Sequence, residues 1–314
     1  MRGRESLPAA FFWQSESPSS ARGSDSGRQT KMKVIVVRTI PRHKKVRRMN
    51  RKIYVVLSLL LLGVPFRSFA QVDTKLPGEA GKPLWTVKGD LPSGKEGELI
   101  KACLVGGQTK IEKFFGQPFA KPFEVEVFPN RNRFDEYVAK RWKWPKTEPW
   151  MVACGASDKL TIISREVWKT EASEHDPKDD QHLRKLIAHE MVHVYHGQQN
   201  PSLDFDGMDD LGWFVEGLAV YVSDQLDRSH KTAAAEAIKL GKAPTKLADA
   251  WSGRYRYGVS GSLVRFVDQK IGRAKLKKLM AVTKPDDALR IIQMTEPDLL
   301  ANWQRAVKQE AQAK

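Results

Sequence analysis

His189-Glu190-Met191-Val192-His193 is the stretch that decides the reading of this chain. On a helix its two imidazoles stand one turn apart on one face with a carboxylate between them, the donor arrangement that a hydrolytic metal site requires. With 7 His in 314 residues, an H-E-x-x-H match arises by chance roughly 0.01 times in a chain this long. The flanks specify a helix: Leu183, Leu186, Ile187, Met191 and Val194 recur at helical spacing and form an apolar stripe beside the histidines. Asp179 and Asp180 are candidate N-terminal caps, and Gly197 a candidate stop. A carboxylate near a core is costly unless it is paired or catalytic, so a purely structural helix leaves Glu190 unexplained.

Two ligands do not complete a catalytic site; a third protein ligand is needed, with the fourth position left for water. A third histidine in the pattern H-E-x-x-H-x-x-G-x-x-H is absent, because position 196 is His196, glycine comes at Gly197 and position 199 is Gln199. The other solution takes a glutamate from a following helix. Trp213-Phe214-Val215-Glu216-Gly217-Leu218-Ala219-Val220-Tyr221 supplies it, with Glu216 the only charge between Asp210 and Asp224.

H-E-x-x-H followed by W-x-x-E-G-x-A-x-Y, with the glutamate 23 residues after the second histidine, resembles the gluzincin metallopeptidases, especially the aminopeptidase N family and its peptidase-MA-like relatives. The specific match covers about residues 182–226. The resemblance implies one Zn2+ per chain held by His189, His193 and Glu216, with Glu190 as general base, in a zincin-like fold. Gly217 and Ala219 suit it, since small residues let two helices approach closely enough to share one metal. There are departures. No G-x-M-E-N segment is present, so the amine recognition of the aminopeptidases does not carry over, and an endopeptidase is expected. Val220 stands where thermolysin-like enzymes place an aspartate, so the outer partner of a ligand histidine must come from elsewhere. His196, one turn beyond His193, reads as a solvated or hydrogen-bonded helix residue rather than a spare ligand. The helix opened by Tyr257 resembles the Tyr-led helix that follows the glutamate ligand in peptidase-MA-like chains. On that resemblance Tyr257, or Tyr255 in its place, donates its phenol to a developing oxyanion; a core or capping tyrosine is the competing reading.

The N-terminus changes what the composition means. Met49-Asn50-Arg51-Lys52 opens a basic segment, residues 53–64 are almost unbroken apolar, and Ser68-Phe69-Ala70 ends in a small-x-small pattern. This reads as a signal peptide over residues 49–70, cut after Ala70, and implies export to the periplasm or the cell exterior. Its apolar run is shorter than the about 20 residues that span a bilayer, so no membrane anchor is expected to persist. Residues 1–48, rich in Ser and Arg, then read as a disordered or non-native upstream extension, with translation beginning at Met49. The net charge of +16 belongs largely to this precursor. Residues 1–70 hold 15 of the 53 Lys+Arg and 3 of the 37 Asp+Glu, which leaves a net +4 from Gln71 onward. A nucleic-acid partner is therefore not expected, and charge runs such as residues 275–278 read as solvated helix faces.

Residues 71–314 are long enough for one core and are expected to form a single domain. Residues 71–93, with several Pro and Gly, read as an extended leader. Residues 94–180 read as an α+β part: helical periodicity at 96–115, strand alternation at 123–128, a helix at 133–142, and two short strands within 151–164 turning at Gly155-Ala156-Ser157-Asp158. Residues 181–314 read as helical, including a structural helix that starts at Thr295-Glu296-Pro297-Asp298 and buries Leu299, Leu300 and Trp303. The expected fold is α+β, a small mixed sheet packed on a mostly helical C-terminal half that carries the ligands. Residues 150–155 are either the exposed sheet edge that receives substrate as an added strand or an ordinary core strand. Cys103 and Cys154 meet an oxidising compartment after export and either form a disulfide or remain separately buried thiols.

The expectation is a secreted zinc-dependent hydrolase of peptide bonds acting on a peptide or protein. Two rivals accompany it: a zinc-containing, peptidase-like binding module without turnover, and a hydrolase of another amide or ester.

Overall fold

The alternation Phe123-Glu124-Val125-Glu126-Val127-Phe128 forms strand β2 (Phe123–Phe128), which buries Phe123, Val125 and Phe128. In the computed structural model, which describes residues 83–313 except 90, 144, 145 and 173, β2 lies inside a four-stranded sheet. With β1 (Trp85–Val87), β3 (Ala153–Ala156) and β4 (Lys159–Ile163), the order is β1-β2-β4-β3. β1 and β4 flank β2 in parallel, and β3 closes one edge antiparallel to β4. Lys159 of β4 is buried because Glu124 and Glu126 of β2 both pair with its ammonium.

The expected extended leader is corrected at its end. Trp85 to Val87 pair with Phe123 to Val125, so that segment is a sheet strand. Three residues are too few to show alternation, and pairing with a strand far along the chain is invisible locally. The hairpin also turns later than expected: Gly155 and Ala156 belong to β3, and the turn is Ser157-Asp158.

Helix α1 (Lys95–Phe115) buries Ile100, Leu104, Ile111 and Phe115. Helix α2 (Arg131–Trp142) starts two residues before the apolar pattern suggests, because the Asn130 side chain caps it by accepting from the Arg133 N–H at 3.0 Å. After the short α3 (Trp168–Glu171), the long α4 (Asp180–Gly197) is capped by Asp179, which accepts from the His182 N–H at 2.8 Å. Gly197 remains helical, so the expected stop falls one residue later. From α4 onward the described residues contain no strand: α5 (Gly212–Val222), α6 (Arg228–Lys239), α7 (Arg256–Ile271), α8 (Arg273–Leu279), α9 (Pro285–Ile292) and α10 (Glu296–Gln312) follow. Thr295 caps α10, which buries Leu299, Leu300 and Trp303 as expected. The architecture is mixed α+β with a mostly helical second half.

Cys103 on α1 and Cys154 on β3 are both buried and both free, so the disulfide alternative is not realised. Each thiol sits in a different layer of the apolar core, and burial raises the Cys103 thiol to about 11 and the Cys154 thiol well above its usual value. The upstream extension, the signal peptide and residues 71–82 lie outside the described residues. Among the described residues no helix is long and apolar enough to cross a membrane.

Candidate metal centre

α4 is buried along nearly its whole length from Leu183, so His189, Glu190 and His193 are held among packed neighbours rather than in solvent. The helical spacing brings the two Nε2 atoms to 3.1 Å. α5 is apolar except for Glu216 and delivers that carboxylate, whose Oε2 lies 3.3 Å from His189 Nε2 and 3.6 Å from His193 Nε2. Four ligands about an ion with bonds of about 2.0 to 2.1 Å stand about 3.3 Å apart at the corners of a tetrahedron. The three separations fall around that value, so the cluster can hold a metal ion. Glu216 Oε2 is buried, and the two imidazoles that face it stand at long or poorly aligned hydrogen-bond geometry. A buried carboxylate oxygen without a well-aligned donor is costly, and a cation at this point would satisfy it.

His189 Nδ1 lies 2.7 Å from Gln225 Oε1. An amide oxygen only accepts, so Nδ1 carries the proton and Nε2 presents its lone pair to the other two ligands. Gln225 is the outer partner that the sequence withheld. It follows Asp224, whose left-handed backbone (φ 64°) reverses the chain after α5, and no spacing rule points to it. Gln225→Leu is expected to weaken the affinity of the cluster for an added divalent metal about 10- to 100-fold, measured by competition with a chromogenic chelator. An unchanged affinity would remove Gln225 from the site.

The two carboxylates are held in different electrostatic states. Burial and the neighbouring Glu216 raise the Glu190 carboxyl against the opposing pull of His189 and His193. Burial acts on Glu216 as well, but His193 and His189 outweigh it and bring that carboxyl down to about 2. Burial lowers the His193 imidazole, and Glu216 more than reverses this, so His193 is raised. Glu216 therefore stays ionised as a ligand must, while Glu190 is a carboxyl with enhanced proton affinity.

Strand β3 lies directly on α4. The Gly155 N–H hydrogen-bonds the Glu190 carboxylate, and a Cβ at Gly155 would overlap the Glu190 carbonyl oxygen. Backbone stands on both sides of that contact, so neither can yield cheaply. Gly155→Ala is expected to destabilise the protein by about 3 kcal/mol, read from urea unfolding; a change within error would show that the strand can lift.

A cavity of about 320 Å³ opens between β3 and the two ligand helices, lined by Trp150, Met151, Leu186, Phe205 and Val215 together with His189, Glu190, His193 and Glu216. Of residues 150–155, only 153–155 are strand: β3 (Ala153–Ala156) is an edge strand among the described residues, its side chains are largely buried, and residues 150–156 line the cavity. The Ile163 N–H donates to the Val152 carbonyl, which sets Val152 and Cys154 toward β4 and turns the backbone groups of Ala153 and Gly155 to the free edge. The approach to β3 is clamped. The Arg131 guanidinium donates to the carbonyls of Glu148 (3.0 Å), Pro149 (2.7 Å) and Met151 (3.0 Å), and His175 Nε2 lies 2.6 Å from the Trp150 carbonyl. Neither clamp residue carries a sequence signal, because both act on backbone distant in the chain.

The other expected site residues divide. Burial, with the Glu216 and Glu190 charges adding to it, raises the Tyr257 phenol well above its usual value, and Tyr257 is not among the residues that line the cavity. Tyr255 is removed as its alternative, because its hydroxyl donates to Glu236 at 2.8 Å on α6. His196 is not solvated: it is fully buried between Phe205 and Phe214, with ring centroids at 4.8 and 5.5 Å. Burial holds its imidazole down to about 3, and it is not part of the ligand cluster. Gly217 does permit a close helix approach, but to α7, since a Cβ there would press on the Ser260 carbonyl oxygen. The approach of α4 to α5 does not depend on it.

No family model matches the chain, and no curated protein or solved structure matches it.

Proposed function

We propose that this protein is a zinc metallopeptidase of gluzincin type with a zincin-like fold, exported from the cell and cutting peptide bonds within a peptide or protein chain. The observation that carries the reading is the convergence of His189, His193 and Glu216 on one point, with Glu190 beside them and a free strand edge across the cavity. Two imidazoles and one carboxylate are a donor set suited to catalytic zinc, which needs three protein ligands and an open fourth position. Bound there, zinc supplies Lewis acidity, lowering the pKa of a water and polarising the scissile carbonyl.

The chain's own residues do the rest. His189, oriented by Gln225, and His193 and Glu216 on neighbouring helices set the place of reaction. Ala153 presents its backbone groups along the edge of β3 and pairs with an extended substrate, holding the scissile bond beside Glu190. Glu190 takes a proton from the attacking water and delivers it to the leaving amine nitrogen. Its raised proton affinity suits that double duty. The Tyr257 phenol donates to the oxygen that gains charge as the carbonyl is attacked.

The test is to incubate the purified, zinc-loaded protein with a diverse mixture of unstructured peptides, with and without a chelator, and to identify the products by mass. Internal cuts lost on chelation and restored by zinc are expected. A folded, zinc-loaded protein that cuts nothing would move the assignment to a binding module, and turnover confined to other amides or esters would move it to that class of hydrolase.

A further inference from the structure

We propose that Arg131 and His175 are positioning residues that fix where along β3 a substrate strand pairs, from Ala153 onward. That role rests on the peptidase reading of the cavity. Residues 148–151 lead into β3 outside the sheet ladder, yet each of their carbonyls accepts from a side chain. The Arg131 guanidinium holds those of Glu148, Pro149 and Met151, and His175 Nε2 stands 2.6 Å from that of Trp150. Glu148 and Pro149 are exposed, where water alone would satisfy a carbonyl. Ordering side chains there costs entropy, and what it yields is one fixed shape for the segment. The shape matters because residues 150–156 line the cavity. With Val152 bonded to β4, Met151, Ala153 and Gly155 are the residues whose backbone groups turn outward. Arg131 occupies the outward carbonyl of Met151, so pairing begins at Ala153, and at Gly155 the strand already lies against the backbone of Glu190. A slip of two residues, the smallest that keeps the hydrogen-bond pattern, would move a substrate by about 7 Å and set a different bond beside Glu190.

Both ends of the clamp are themselves held. Arg131 opens α2, where a cation opposes the helix dipole, so helix stability gives no reason for it. Its backbone N–H donates to the Glu171 carboxylate at 2.6 Å and its Nε to the Glu171 carbonyl at 3.0 Å, which ties the guanidinium to α3. At the other end a carbonyl only accepts, so His175 Nε2 carries the proton and Nδ1 is an acceptor. That Nδ1 stands 2.8 Å from His182 Nε2, which therefore donates. His182 lies in the first turn of α4, the helix of His189, Glu190 and His193. A chain of contacts thus runs from the ligand helix through two imidazoles to the cavity wall at Trp150. Trp168 packs beside both rings, with ring centres at 5.2 and 6.3 Å. Burial holds both imidazoles below their usual range, which keeps the pair neutral at neutral pH and the order of donors fixed.

The test uses the full-length, zinc-loaded protein and one unstructured peptide that the wild type cuts, with products identified by mass. Arg131→Gln and His175→Phe are expected to lower kcat/KM about tenfold. They should also raise about fivefold the share of cuts two residues from the wild-type bond, because the edge then offers a second place to pair. His175→Gln, whose amide N–H reaches the same carbonyl, is expected to restore the wild-type cutting position. A merely structural loss would lower the rate at an unchanged bond. In metal-free protein, hydrogen exchange over residues 147–154 should quicken about tenfold in His175→Phe, while that over β2 stays within about twofold. Should Arg131→Gln fail to fold, His175→Phe carries the test alone. Cuts confined to the wild-type bond, a Gln variant no better than the Phe variant, or unchanged exchange would each overturn the proposal. If the wild type cuts no peptide, the peptidase reading fails separately, and the exchange measurement still decides whether His175 holds the entry to β3.

Discussion

Glu190→Gln is expected to keep one zinc per chain and to lower kcat by about 1000-fold, the upper part of the range for removing a positioned acid–base group. The amide has the shape and volume of the carboxyl, so the packing of α4 is preserved, and Glu190 is not one of the three converging ligands. What is lost is the proton acceptor. Burial and Glu216 raise the affinity of this carboxyl for a proton, and no amide reproduces that. The Gly155 N–H still finds an oxygen on the amide, so the contact between β3 and α4 persists. Zinc content by elemental analysis and steady-state rates on one peptide decide the matter: full turnover by a zinc-loaded Glu190→Gln protein would remove the assigned mechanism.

His193→Ala is expected to lose metal and turnover together. Its Nε2 lies 3.1 Å from that of His189 and 3.6 Å from Glu216 Oε2, and two remaining ligands do not make a zinc site. The consequence reaches stability. An ion that binds only the folded chain stabilises it by about 4 kcal/mol when present at a thousandfold its Kd, so the wild-type midpoint should fall on chelation while that of His193→Ala stays unmoved. The variant should also be less stable than metal-free wild type, because Glu216 is left buried with one imidazole partner instead of two. Stoichiometric zinc retained by His193→Ala after gel filtration would mean that another residue completes the site.

Much of the local structure was legible because it follows from short-range periodicity. The strand at 123–128 and the helices around 96–115 and 180–197 emerge from alternation and from three- and four-residue spacing, and the caps at Asp179 and Thr295 from side-chain chemistry at the helix starts. The same spacing placed His189, Glu190 and His193 on one buried helix. Where the reading failed, the deciding partner was remote. The strand at Trp85–Val87 exists because β2 offers it an edge, and Gly217 meets α7 rather than α4.

The sequence by itself determined the donor set: which residues can bind a metal, that two of them are one helical turn apart, and that Glu216 is the one charge in an apolar helix. A helix converts spacing along the chain directly into direction in space, so those statements need no tertiary information. Only the tertiary structure decided that Glu216 reaches the two histidines, that Gln225 sets the tautomer of His189, and that Gly155 brings the sheet edge onto Glu190. Each of these joins segments whose separation along the chain says nothing of their distance in space; burial of apolar surface brings the segments together, and the site is built from what their packing leaves facing one another.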